Sequence, residues 1–381
     1  MKRNDTYKIF VALLGTFGLM LASCSSDVEQ PDERKKTELK MVLGPSAFSD
    51  VTVNQTRALP DGYSAYDLLY TSNTVPNYAN IIGFLTKAGD ELLPEPLNEV
   101  FLYREGATRH EWSARIEVET SSQYYVYGFM PREDAGAITI NTNTTYNEGA
   151  VLAINDLKTI TGSDVCVIVG VKGHNDIDDI ADVGMELGKF GYQVPDGKYL
   201  YLLVDHLYAS LKFQLAVSTE YSKLRTIKIK KMTLEPYHSS STVLQTVNMT
   251  ATLTANTDGT DPLTAVTMAD GMSGTSYQPA VIFENNETPA VLTTTASANS
   301  FRAYFAPGKV GRFILETTYD VYDTAPVPNL VRENQTARNT LMPNQVLTRG
   351  QDLTFTLTVD PTYLYVLSEP DLDNPTFTLQ Q

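Results

Sequence analysis

The chain has little cysteine, tryptophan, histidine or positive charge. Its 381 residues hold two cysteines, one tryptophan and four histidines. The cysteines, Cys24 and Cys166, lie 166 − 24 = 142 positions apart, so a disulfide framework is not the main stabiliser. Charged residues make up only 19% of the chain, which excludes a coiled coil. Lys plus Arg is 29 against 45 for Asp plus Glu, a net charge of −16. That leaves no cationic excess to neutralise phosphates, so nucleic acid is not an expected partner. A Gly-rich phosphate loop and a GxSxG elbow are missing. His110, His174, His206 and His238 share no metal-ligand spacing with each other or with a cysteine. His206 reads as a packing or hydrogen-bonding residue at a domain boundary. Cys166, inside the apolar run 165–169, reads as a buried, inert thiol. Asp176, Asp178, Asp179 and Asp182 lack the glycine and closing Glu of a calcium loop and read as a solvated acidic loop. No enzyme activity, catalytic residue, metal or cofactor is expected.

What is present starts with an address. Lys2, Arg3 and Lys8 precede a 13-residue, nearly all-apolar run from Ile9 to Leu21. That run is too short to cross a bilayer core of about 30 Å as a helix. With the small residues Ala22 and Ser23 after it, it reads as a secretory signal. Leu21-Ala22-Ser23-Cys24 has the order of a lipobox. Residues 1–23 are therefore expected to be a lipoprotein signal peptide, cut between Ser23 and Cys24. The Cys24 thiol would carry the fatty acyl chains, palmitate among them. Each buried CH₂ contributes about 0.8 kcal/mol, so two or three chains anchor stably. Residues 24–37 are polar and read as a tether.

Downstream, apolar residues recur with period two, as in half-buried strands. In Leu207–Val217 every odd position is apolar. Ile227 and Ile229 alternate with lysines, and the pattern then slips by one residue to Met232 and Leu234, which predicts a bulge. Leu353, Phe355, Leu357 and Val359 alternate with threonines, and Ile116 and Val118 with glutamates. Tyr124–Met130 and Val165–Val171 are continuous runs of buried-strand type. One short helix is expected within Asp176–Lys189. Pro60-Asp61-Gly62, Pro195-Asp196-Gly197, Asp258-Gly259 and Asp360-Pro361 are turn signals. Many short strands with frequent turns predict antiparallel sandwiches, with a boundary near residue 205.

Four places carry a family resemblance: Cys24 of the lipobox, Asn54-Gln55-Thr56-Arg57-Ala58, the run Tyr124–Pro131, and His206–Phe213 followed by Leu224–Ile229. Taken together, they resemble the fimbrillins, the type V pilins of Gram-negative anaerobes. The resemblance implies an all-β chain of two transthyretin-like Greek-key β-sandwich domains in tandem, at 58–205 and 206–381. It implies a propeptide, 38–57, that includes the first strand and is removed by an arginine-specific protease cutting between Arg57 and Ala58. Leu39, Met41, Leu43, Val51 and Val53 would anchor the displaced strand in its groove. The C-terminal tail, with Tyr363, Tyr365, Leu367, Phe377 and Leu379, would be the donor that fills a neighbour's groove. The implied partners are other fimbrial subunits and, before maturation, the outer membrane through the lipid. The implied place is the cell surface, and the implied role is adhesion. Two other roles fit the same chain. One is a fimbrial anchor that keeps its lipid. The other is a surface glycan-binding outer-membrane lipoprotein, for which Trp112 or the cluster Tyr63, Tyr66 and Tyr70 could stack on sugars and meet a glycan or protein receptor. Asp323-Thr324-Ala325 resembles an O-glycosylation sequon.

Overall fold

A computed structural model describes residues 37–45, 49–50, 80–90, 97–103, 112–116, 118–119, 121–141, 146–175, 183–193, 199–239, 241–256 and 258–359. These residues are almost entirely β. The largest sheet runs in the order β10 (Cys166–His174), β12 (Tyr199–His206), β1 (Thr37–Pro45), β5 (Trp112–Ile116), β4 (Leu97–Tyr103), β3 (Ile81–Lys87), β6 (Gln123–Met130), β11 (Gly191–Gln193). Because β10 also pairs with β6, through Cys166 opposite Met130 and Val167 opposite Phe129, seven of these strands form a closed circuit. A four-stranded sheet, β17 (Leu263–Asp270), β16 (Thr246–Thr254), β8 (Gly149–Lys158), β7 (Ile138–Asn141), packs on it.

A second pair of sheets forms the other sandwich. One is β2 (Ser49–Asp50), β24 (Gln351–Val359), β13 (Ala209–Val217), β21 (Ser300–Phe305), β9 (Ile160–Thr161). Facing it is β19 (Ala280–Glu284), β14 (Thr226–Pro236), β22 (Phe313–Tyr322), β23 (Leu330–Leu341), with β20 (Ala290–Val291) also on β14. The short strands β15 (Val243–Leu244) and β18 (Ser273–Gly274) pair with each other. The two halves exchange strands. β16 and β17, beyond residue 205, complete the first sandwich through β8, while β9, before it, pairs with β21 in the second.

Strand patterning explains the cores. In β12, Tyr201 and Leu203 face the core shared with the four-stranded sheet, while Leu200, Leu202 and Val204 face a separate cluster around Trp112, Val126 and Ile168. A strand buried on both faces needs a continuous apolar run, which is why Tyr124–Met130 and Val165–Val171 do not alternate. In β10 the register shifts between Ile168 and Gly170, so Val169 faces one cluster and Val171 the other. Gly128 is required where β6 passes closest to its neighbours: an added Cβ would lie 2.5 Å from Ile168 Cδ1 and 2.7 Å from the Ile82 carbonyl oxygen.

The second sandwich shows the expected slip. Opposite β22, β14 shifts register between Ile229 and Lys231, and Ile227, Ile229, Met232 and Leu234 all stay in one core. An unbulged strand would have turned the last two to solvent. Among the described residues the one α-helical turn, α1 (Thr219–Ser222), is capped by Ser218, whose Oγ accepts from the Tyr221 N–H at 3.3 Å.

One expectation needs correction, and another falls partly outside the described residues. Strand β5 ends at Ile116, and Val118 and Glu119 lie outside it, with Lys87 Nζ 2.6 Å from Glu119 Oε2. Of the span Asp176–Lys189, residues 183–189 form turns, with Gly184 and Gly188 at φ +65° and +74°, and the rest of the span in which a short helix is expected lies outside the described residues. Two left-handed glycines break any helical run. The four aspartates lie outside the described residues. Among the described residues no helix is long and apolar enough to cross a membrane.

Candidate functional site

Strand β1 occupies the place that the fold depends on most. It lies between β12 and β5 and pairs with β12 in parallel, from Lys40 opposite Tyr199 to Pro45 opposite Val204. Its partner is 199 − 40 = 159 residues away in sequence. No hairpin ties the two together, so β1 is a strand inserted from outside the local chain. Without it the closed circuit would open, and the edges of β12 and β5 would lose their partner. An unpaired strand edge is a template for another strand, and each buried backbone group left without a partner costs about 1–3 kcal/mol. The neighbouring surface is apolar: Leu200, Leu202 and Val204 of β12 and Trp112 of β5 are all buried.

The other end of the same segment touches the second sandwich. β2 pairs in parallel with the start of β24, Ser49 opposite Gln351 and Asp50 opposite Asp352. On its other side β24 pairs with β13 from Asp352 to Val359. From Leu353 onward one edge of β24 therefore carries no partner among the described residues. Polar contacts fix the start of this strand. The Asp352 carboxylate accepts from Ser210 Oγ and from Arg302 Nη2, the latter at 2.7 Å, which ties β24 across β13 to β21. Just upstream, Arg349 reaches Asp205 Oδ2 at 2.6 Å and Asp261 Oδ2 at 3.0 Å.

The sequence-predicted residues are distributed as follows. Leu39, Met41 and Leu43 fall on β1. Ser23, Cys24, Val51, Val53, Arg57, Ala58, Tyr63, Tyr66, Tyr70, Tyr363, Tyr365, Leu367, Phe377 and Leu379 lie outside the described residues. Trp112 is fully buried, so its ring is no sugar platform. Cys166 is buried, and burial followed by the charge of Asp164 pushes its thiol well above the usual range. Thr324 is exposed, its hydroxyl donating to the Lys223 carbonyl at 3.2 Å.

Sequence reasoning missed two features. The first is an open cleft of 970 Å³ beside β11, lined by Gln123, Tyr125, Asn147, Tyr192 and Asn256 among others. Its residues come from five separate segments, and no local motif marks it. The second is the set Asp164, Cys166 and His206, all buried, whose side-chain ligand atoms lie within 4.8 Å of one another. The signal for it was the short spacing of Asp164 and Cys166, which puts both on one side of a strand; the histidine arrives only through cross-strand pairing.

Neither a protein-family model nor a curated protein matches the chain. Solved structures do. A fimbrial protein from Bacteroides vulgatus is 11% identical, with 89% of this chain and 97% of that chain covered, at a TM-score of 0.26. A fimbrial protein from Bacteroides ovatus is 10% identical over 85% of this chain and 50% of that one, at 0.30. The fimbrial anchor protein Mfa2 from Porphyromonas gingivalis is 11% identical over 89% and 95%, at 0.24. These structural neighbours are of the kind that the fimbrillin resemblance names. At such scores the likeness is loose, and the function proposed below rests on the chain's own residues.

Proposed function

We propose that this chain is a structural subunit, stalk or tip, of a cell-surface fimbria and is not an enzyme. It is exported as a lipoprotein through Cys24, cut between Arg57 and Ala58, and polymerised by strand exchange to support adhesion. The observation that carries the reading is the seat of β1. A strand from the segment that ends at Arg57 lies between β12 and β5, parallel to β12, and is one link of a closed circuit. A strand held this way can leave without breaking a hairpin, and the slot it vacates can take only another extended segment. Residues 360–381 continue directly from β24 and carry the alternating Tyr363, Tyr365 and Leu367. At about 3.3 Å per residue, the 20 residues from Thr362 to Gln381 span roughly 66 Å when extended, enough to reach a neighbouring molecule. Head-to-tail exchange of this kind does not close and grows as a fibre.

The test treats folded precursor with low-dose trypsin. One early cut should give a product of 381 − 57 = 324 residues that starts at Ala58, and that product should form filaments visible by electron microscopy. Arg57→Ala should stay lipid-bound and monomeric. A cut form ending at Pro361 should stay folded and fail to polymerise; filaments from it would remove the tail as donor. A precursor that resists cleavage at Arg57 would favour an anchor. The cleft lined by Tyr125, Tyr192, Asn147 and Asn256 supports a second reading, a glycan-binding surface lipoprotein, which a glycan array would detect.

A further inference from the structure

We propose that Asp164, Cys166 and His206 form a buried zinc site that pins strand β10 to strand β12. The three residues are placed by the sheet. Cys166 opens β10 directly opposite His206, the last residue of β12. Asp164 precedes Cys166 by two positions, on the same side of an extended chain. The Leu207 N–H donates to the Val165 carbonyl at 2.7 Å, and Cys166 is paired on its other side with Met130. The ligand-bearing backbone is thus held from both sides, as a preorganised site requires.

The side chains converge on one point. His206 Nδ1 lies 2.7 Å from Asp164 Oδ2 and 3.7 Å from Cys166 Sγ. Zinc bonds of about 2.0–2.3 Å in a tetrahedron set ligand atoms roughly 3.4–3.6 Å apart. The nitrogen–sulfur separation is already there, and the nitrogen–oxygen one needs a small opening. Cysteine and aspartate both converge on Nδ1, so this is not a catalytic relay, in which the two ring nitrogens serve different partners.

The second observation is the state of Asp164. Its side chain is 0% exposed. It lies 2.7 Å from His206 Nδ1, and apart from His206 and the Cys166 thiol neither carboxylate oxygen has a hydrogen-bond partner. A fully buried carboxylate held only by one imidazole and one thiol is costly, and a divalent cation in place of their protons would satisfy it. Thiolate, imidazole and carboxylate together suit zinc, whereas magnesium and calcium take oxygen ligands. Two ligands that are anionic when bound match its double charge. Burial of all three residues argues for a structural role.

The test uses the full chain, expressed without a histidine tag and refolded with zinc or with EDTA. Metal analysis should find about one zinc per chain after refolding with zinc and desalting, and the EDTA form should melt at lower temperature. Cobalt in place of zinc should give a sulfur-to-metal charge-transfer band that Cys166→Ala abolishes. If Cys166→Ala fails to fold, the cobalt band of the unsubstituted chain and its chelator-dependent melting decide the matter. Folded protein that holds no zinc, shows no cobalt–sulfur band and melts alike in zinc and EDTA would overturn the site and leave a plain buried His–Asp pair.

Discussion

Strands β1 and β24 are both paired in parallel across long stretches of sequence, yet their seats differ. β1 has a neighbour on each side, β12 and β5, and closes a circuit. β24 has β13 along its length and β2 at only two residues. One end of the molecule holds a strand whose loss would open a sheet; the other presents a strand with a spare edge, running into the tail. A subunit that gives up one strand and lends another needs this asymmetry. In the proposed assembly the closed seat would keep the precursor monomeric, and the spare edge of β24 would stand next to the donor segment.

The largest effect should come from removing the β1 segment. Cut and washed monomer should lose several kcal/mol of stability, from the six pairs with β12 and the exposed groove. Urea unfolding of the first sandwich measures this, and an unchanged midpoint would equate the two seats. Next is Trp112→Ala, which empties the centre of the cluster beside β12. It should cost about 3–5 kcal/mol by chemical denaturation. Asp352→Ala should cost about 3 kcal/mol, because it removes the carboxylate that the half-buried Arg302 guanidinium and Ser210 both bond and releases the start of β24. If the tail is the donor, the same change should alter polymerisation as well as stability.

High pH sharpens the comparison between sandwich cores and seats. Burial holds the phenols of Tyr127, Tyr208 and Tyr304 above their ordinary range. Their folded pKa is raised, so their contribution is complete below the unfolded value near pH 10 and is lost as pH rises beyond it. Phenolate absorbance of these rings should appear together with unfolding, not before. The smallest expected effect is that of Lys228→Met. Lys228 Nζ lies 4.2 Å from the centre of the Tyr322 ring, far from both seats, and the loss should be about 0.5–1 kcal/mol.

The sequence announced strands more clearly than their partners. Alternation placed β13 and β24, and a one-residue slip between Ile229 and Met232 announced the bulge in β14. These are local signals of side-chain period. Pairing is not local. Nothing near residue 250 shows that β16 joins β8 across the middle of the chain, and nothing near Lys40 shows that its neighbour is Tyr199. Period alone does not show where β5 stops, at Ile116, or that residues 183–189 form turns around two left-handed glycines. The Asp164, Cys166 and His206 cluster was hidden because its third member comes from a strand 40 residues further on. The cleft beside β11 was hidden for the same reason.

The most direct test of the central claim is hydrogen exchange at the β12 amides from Tyr199 to Val204, followed through maturation. In the intact precursor these amides should be protected by β1. After the cut at Arg57, with the released segment washed away and the protein held dilute, the amides facing the slot should exchange much faster, while those of β13 stay protected. In filaments the protection should return. If β12 stays equally protected in precursor and cut monomer, β1 is not a replaceable strand, and assembly by strand exchange at this slot is wrong.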